Sequence, residues 1–351
     1  MEQIQRSNWK FNMILLGMVL LLIVSIIYSI TLGSADISMK DVYQILFAKI
    51  TGNTALLEGF EKGWIDIVWL IRLPRILLAV FAGIALSLSG AVMQAIVNNP
   101  LADPYILGIS SGASLGATLA ILLGVGISFG PNYVGISAFI GALSVSFLVL
   151  LFGSSSSRAD VSRLLLVGIA LSSLCSAISS IIVFAANNRN GMMTLNFWLL
   201  GSLSAANWQI VKILAPIVIV ISIFFCFQSR ILNLMLVGDE AAVTLGQENH
   251  IYRIVYIILA AILIGFIVYA CGIIGFVGLV VPHIARLLVG VNHKRMIPIT
   301  ILFGGLFLLW ADILSRMIIK GVEIPIGVIV SIVGAPFFLY LVIQNSGERR
   351  Q

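Results

Sequence analysis

Charge is what this sequence has least of. Charged side chains make up 10% of its 351 residues, against about 25% in soluble globular domains. With 60% hydrophobic residues and a mean hydropathy of +1.13, a water-surrounded globule is excluded and a polytopic membrane protein remains. Cysteine is scarce too. Cys175, Cys226 and Cys271 stand far apart inside apolar runs, which argues against a disulfide framework or thiolate metal site and for small packing residues. The three histidines, His250, His283 and His293, are too widely spaced for an HExxH zinc site. No lysine follows a glycine, so the Gly-Lys-Ser/Thr loop that cradles nucleotide phosphates is missing and the chain cannot itself split ATP that way. A net charge of +6 would suggest nucleic acid in a soluble chain; here it reflects arginines in cytoplasmic loops, and no nucleic-acid partner is expected.

What is present is apolar runs of membrane length. About 20 apolar residues cross the hydrocarbon core as a helix, and the chain has room for roughly ten spans. Arg6 and Lys10 precede the run Phe11 to Leu32, which is too long for a signal peptide and reads as a retained first span with the N-terminus inside. Residues 33–71 mix charged and apolar side chains and read as an outer loop rather than a span. Within it Ser38 and Asp41 form a capping box, and Val42, Ile45 and Leu46 give a short amphipathic helix ended by Gly52.

The second span runs inward from Ile71 to Val97 and stops at NPLADP, where Pro100 and Pro104 forbid a continuous helix. Irregular backbone at that depth survives only when buried in protein or facing water. A third span from Ile106 to Val125 carries Gly108, Gly112 and Gly116 on one face, and Gly83, Ser87 and Ala91 do the same in the second; such spacing serves close helix packing. Spans follow at Gly135–Phe152, Leu164–Ala185 and Gln209–Phe227, with a surface helix near Trp198 between the last two. Residues 228–250 form the most polar inner stretch, with short helices at Ile231–Val237 and Asp239–Leu245. The remaining spans cover Ile251–Tyr269, a short helix around Pro282 after Gly272, Gly275 and Gly278, then Met296–Ile313 and Val328–Ile343. Between them the basic turn at His293, Lys294 and Arg295 lies inside. The result is an all-α polytopic protein of about ten transmembrane helices, with both termini cytoplasmic, in a single transmembrane domain over residues 1–351.

Several blocks in order carry a resemblance: RLPR at Arg72–Arg75, SGAVMQ at Ser89–Gln94, NPLADP at Asn99–Pro104, and LGISSGASLG at Leu107–Gly116. They continue with GDEAAVTLG at Gly238–Gly246, GFVGLVVPHIARL at Gly275–Leu287, Ala311-Asp312, and EIPIGV at Glu323–Val328. Together they resemble the permease subunit of type II ABC importers, the family of iron-siderophore, haem and vitamin B12 permeases.

That resemblance implies a multi-pass protein of the bacterial cell membrane that works with two cytoplasmic ATPase subunits, a second permease subunit, identical or paralogous, and an extracellular substrate-binding protein. ATP and magnesium would be bound by the ATPase, with no cofactor, metal or catalytic residue in this chain. Gly238, Asp239, Glu240, Ala241, Leu245 and Gly246 correspond to coupling helices seated on the ATPase. Arg72, Arg75 and Arg316 correspond to positions that meet acidic residues of the binding protein, where charge pairing steers encounter. The fifth and tenth spans would line the path, with a cytoplasmic gate at Asn99, Leu101, Val161 and Ser162. Val161 stands where a small hydroxyl residue is usual and makes that gate more apolar. The family's most frequent cargo, ferric siderophore, is the expected substrate, with haem and cobalamin as alternatives. A self-powered secondary carrier would need an ionisable residue at the midplane; Asp312 sits near the outer end beside Arg316, where a salt bridge is the simpler expectation.

Overall fold

The computed structural model describes residues 2–33, 35, 37–153, 161–238, 249–319 and 321–348. Among them the secondary structure is helical, without strands. Seven helices are long and apolar enough to cross a membrane, and three shorter apolar helices, Ile109–Leu123, Val277–Val289 and Ile326–Tyr340, bring the bundle to ten. Helix α1 (Glu2–Thr31) is the first. Helix α2 (Met39–Thr51) begins as the capping box requires: the Ser38 hydroxyl accepts the Asp41 N–H at 3.2 Å, and Gly52 closes the helix in the left-handed region at φ 72°.

The second span starts earlier than the charge pattern suggests. Helix α3 (Lys62–Asp66), a π-helical stretch (Ile67–Arg72) and α4 (Leu73–Val97) form one run of 36 residues, so the charged Lys62 and Asp66 belong to its outer extension rather than to a loop. Pro74 has no N–H to close an ordinary turn, and the wider π turn before it carries the backbone through. Helix α4 is apolar on every side and accordingly lies at the centre, buried over most of its length.

Around α4 stand α9 (Trp208–Phe227), α11 (His250–Cys271), α12 (Val277–Val289) and α13 (His293–Met317), with α10 (Ser229–Val237) below them. Two glycines set the distance. A Cβ on Gly83 would meet the Gly304 carbonyl of α13, and one on Gly90 the Gly278 carbonyl of α12, so these backbones touch directly. Ser87 adds a hydrogen bond to the Thr300 carbonyl at 3.1 Å.

Helices α5 (Ile109–Leu123) and α6 (Tyr133–Gly153) pair the same way, Gly112 and Gly116 lying on the carbonyls of Gly141 and Ser137. Gly108 is not on that face. It caps α5 at φ 81°, because the helix begins three residues later than the apolar run does. The non-helical stretch before it is stapled by two side chains: Asn99 accepts the Leu101 N–H at 2.9 Å and Asp103 the Tyr105 N–H at 2.8 Å. It packs into protein, with Pro104 over Gly278 and Leu107 over Gly168.

Two further boundaries differ from the sequence pattern. Gly272 and Gly275 lie in the connection from α11 to α12 rather than on the helix, and Gly278 alone occupies the first turn. Lys294 and Arg295 lie in the first turn of α13 rather than in a loop, since Asn292 accepts the Lys294 N–H at 3.0 Å and starts the helix three residues before Met296. Cys175 and Cys271 are buried as small packing residues, whereas Cys226 is exposed on α9. On the outside of the bundle lie α7 (Val161–Ala186), α8 (Arg189–Leu199) and α14 (Ile326–Glu348). The most apolar window of α7 is 11% buried, against 83% for the run containing α4.

Candidate functional site

At the outer end of the bundle the three arginines singled out in the sequence converge, and each is engaged within the chain. Arg72 is 4% exposed, and its guanidinium donates to the carbonyls of Ile30, Thr31 and Ala35 at 3.0, 3.3 and 2.6 Å. It thereby caps the carbonyl end of α1, where a cation also suits the helix dipole. Arg316 reaches the same segment through Leu32, at 3.3 Å.

Arg75 lies between two carboxylates. Its Nε and Nη2 contact Asp312 Oδ1 at 2.9 and 2.8 Å, while Nη1 and Nη2 grip Glu323 Oε2 and Oε1 at 3.0 and 2.8 Å. Asp312, whose side chain is fully buried, also accepts a hydrogen bond from Arg316 Nε at 3.1 Å, with Nη2 of the same guanidinium 3.0 Å away, so the salt bridge expected between these two is present. Such charges persist at this depth because they pair with one another and satisfy most of their hydrogen bonds. Glu323 is the most exposed member, with 34% of its side chain accessible. It accepts a further bond from the Ser202 hydroxyl at 3.1 Å. Burial alone would raise the Glu323 carboxyl, but the hydrogen bond and charge of Arg75, with Ser202 and Arg316 behind them, hold it below the ordinary glutamate range.

Backbone bonds tie this cluster to the outer end of α14. Ile324 N–H donates to Ser315, Ile326 to Gly201 and Gly327 to Leu200, at 2.9, 3.2 and 3.1 Å, while Ser202 N–H donates to Cys271 at 2.8 Å. Next to these bonds lie two adjoining open hollows. One, about 450 Å³, is lined by Leu199, Ile273, Gly275, Val328 and Ser331; the other, about 410 Å³, by Arg189, Met192, Met193 and Phe197. Helix α7 exposes Ser173, Ser176 and Ser180 at helical spacing on one face.

At the inner end, α10 stops at Gly238, whose φ of 97° and ψ of 160° turn the chain sharply. Asp239, Glu240, Ala241, Leu245 and Gly246 lie outside the described residues. Asn233 fastens α10 to α13: its Oδ1 accepts the His293 N–H at 2.9 Å and lies 2.8 Å from Nδ1 of that ring. A cavity of about 210 Å³ lined by Gln94, Asn99, Leu236, Arg286 and His293 joins this region to the NPLADP stretch. Among the gate candidates Asn99 is exposed and Leu101 half-buried, while Val161 and Ser162 are the first two residues of α7. The irregular stretch meets α7 further along, through Leu107 and Gly168.

Two partnerships escaped the sequence reading. Glu323 serves as counter-ion to Arg75, a pairing signalled only by two acids and two arginines at one membrane level. Arg286 donates to the side chain of Gln94, which in turn donates to the Gly278 carbonyl at 3.3 Å; its signal was an amide near the inner end of an apolar span.

The profile of the FecCD transport family matches residues 21–344. This chain belongs to the FecCD transport family. The hemin transport system permease of Yersinia pestis is 35% identical to this FecCD member over 341 residues, 96% of this chain and 97% of that one. The vitamin B12 import system permease of Klebsiella pneumoniae is 34% identical over 349 residues, 99% and 97% of the two chains. An ABC transporter permease of Bacillus subtilis without an assigned role is 38% identical over 331 residues, 93% of each. A solved structure described as an inward-facing metal-chelate type ABC transporter superposes with a TM-score of 0.81 at 31% identity, covering 95% of this chain and 99% of that one. The FecCD chain is thus a permease of the type II ABC importers, with their all-helical fold, and a multi-pass protein of the bacterial inner membrane.

Proposed function

We propose that this permease subunit, as one domain over residues 1–351, passes a bulky iron chelate, a ferric siderophore first of all, from an extracellular binding protein to the cytoplasm. The observation that carries the reading is the pair of open, chelate-sized hollows along α8 and α14 at the outer end, with Ser173, Ser176 and Ser180 exposed on α7 as a second, separate feature. Ser173 and Ser180 return their hydroxyls to the carbonyls of Ile169 and Ser176, at 3.0 and 2.9 Å, which suits lipid as well as water, so these serines are compatible with a water-filled path between two permease subunits without carrying the reading. The hollows offer methionine, phenylalanine and isoleucine with one cation, Arg189, which suits a large, partly apolar anion held loosely. Haem and cobalamin are the alternatives, since a hemin permease and a vitamin B12 permease are among the relatives.

Energy would come from two separate ATPase subunits that bind ATP and magnesium, seated against residues 228–250 and moved through Gly238, Asp239, Glu240, Ala241, Leu245 and Gly246. Arg72, Arg75 and Arg316, beside the outer loop at 33–71, would receive the binding protein. Asn99, Leu101, Val161 and Ser162 would close the path inside. A self-powered carrier is disfavoured, since Asp312 is clamped between two guanidiniums rather than free to bind a coupling ion. The deciding experiment is uptake into proteoliposomes holding this chain and the ATPase and binding protein encoded beside it, offered ferric siderophore, haem and cobalamin in turn. Nucleotide-dependent uptake of ferric siderophore supports the reading; uptake of haem or cobalamin alone replaces the cargo, and uptake without the ATPase overturns the importer mechanism.

A further inference from the structure

The arginines expected to receive the binding protein are not waiting for it. In this structure the cluster carries a net charge of about +1, because the two carboxylates of Asp312 and Glu323 offset Arg75 and Arg316, and the remaining cation, Arg72, is buried against backbone carbonyls. An incoming carboxylate would therefore meet little free positive charge. One internal partner must yield, and the members differ sharply in how readily they could. Asp312 is fully buried and held by two guanidiniums. Glu323 is one-third exposed, lies in the short connection between α13 and α14, and has a second hydrogen-bond partner in Ser202.

We propose that Glu323 is the resident counter-ion of the docking site: a partner carboxylate displaces it from Arg75, and the exchange releases the Gly321–Pro325 strap that holds the outer end of α14. The inference rests on the docking role of the arginines and adds the internal residue that competes for them. Its mechanical half follows from connectivity. Glu323 is followed at once by Ile324, bonded to Ser315, and then by Ile326 and Gly327, bonded to Gly201 and Leu200 beside the hollow of about 450 Å³. Losing the two-pronged grip on Arg75 removes the charged anchor of that strap, leaving neutral backbone bonds that are individually weaker. Docking is thereby felt at the mouth of the path without any need for the buried core to move. Breaking one pair while making an equivalent one also keeps the net gain small, so the partner can leave again.

The test uses the full permease with its ATPase in lipid nanodiscs and the binding protein encoded beside it. Glu323→Gln keeps the shape and removes the charge. It should strengthen capture about tenfold, mainly through faster association, raise ATP hydrolysis in the absence of binding protein, and shrink the factor by which binding protein stimulates it. Amide exchange at Ile324 and Ile326 should quicken. Glu323→Asp, which retains charge at shorter reach, should fall between the two. Arg75→Gln should lose capture, and Glu323→Gln should then have no further effect. If Arg75→Gln loses capture but Glu323→Gln leaves capture and amide exchange unchanged, docking stands and the exchange is overturned. If neither variant alters capture, the docking role itself fails and the exchange with it.

Discussion

Arg75 and Glu323 meet across 248 residues of sequence as a two-pronged pair, with Nη1–Oε2 at 3.0 Å and Nη2–Oε1 at 2.8 Å. A planar fork makes that contact and an ammonium group does not. Arg75→Ala leaves Asp312 buried with one guanidinium instead of two and should cost about 3–5 kcal/mol, the usual range for breaking a buried pair. Arg75→Lys should cost less. Thermal unfolding of the purified permease in detergent orders the three proteins.

Acid should weaken the same pair, in a defined direction. The Glu323 carboxyl is held below its ordinary range in the folded protein, with burial opposed and outweighed by Arg75. Its contribution is therefore complete above the unfolded value of about 4.3 and is lost as pH falls through the lower folded value. The stability difference between wild type and Glu323→Gln should stay flat near neutrality and shrink only in that acidic window. A difference that instead shrank between pH 6 and 8 would contradict the depressed carboxyl.

Contact between backbones at Gly90 predicts intolerance of a single methyl group. Its Cβ would enter the Gly278 carbonyl, so Gly90→Ala must push α4 and α12 apart, at a cost of about 1–3 kcal/mol or more. Gly63→Ala is the control. Nothing lies within 4 Å of that Cβ, and alanine in a helix should be neutral or stabilise by up to about 1 kcal/mol. Expression level and unfolding temperature of the two variants separate packing from propensity.

Water should reach one outer helix and not another. Ser176→Cys on α7 should react with a charged thiol reagent in the assembled transporter, whereas Val220→Cys, 64% exposed among the apolar residues in the middle of α9, should not. Equal protection of both would remove the aqueous path from α7.

Reversal of charge at Glu240, as Glu240→Lys, should abolish uptake and ATPase stimulation together. Gly238→Ala should do part of the same by another route. A φ of 97° strains any side-chain-bearing residue by about 1–3 kcal/mol, which misdirects the segment that follows. Undiminished stimulation in both variants would reject the coupling role.

The spans and their order were legible because each is an apolar run with a local stop, such as the prolines of NPLADP after α4 and the Asn and Gly after α7. Helix pairing through Gly83, Gly112 and Gly116 was legible as spacing. Three things were not. Lys62 and Asp66 disguised the outer turns of the second span, since charge at the end of a helix looks the same in sequence as charge in a loop. The partner of Arg75 lies 248 residues away, and no local pattern reports a contact at that separation. Exposure of α7 follows from topology alone; its sequence is as apolar as that of buried neighbours, serines aside.

The glycine contacts that lock α4 to α12 and α13 divide the molecule into an unyielding keel and a lightly attached outer wall. Substitutions in the keel disturb carbonyls that have no room to retreat, while the outward-facing residues of α7, α8 and α14, such as Ile181 and Phe184, can change size without moving anything beneath them. Selection for a new cargo can therefore act on the wall alone, and one keel can serve transporters whose passengers share little chemistry.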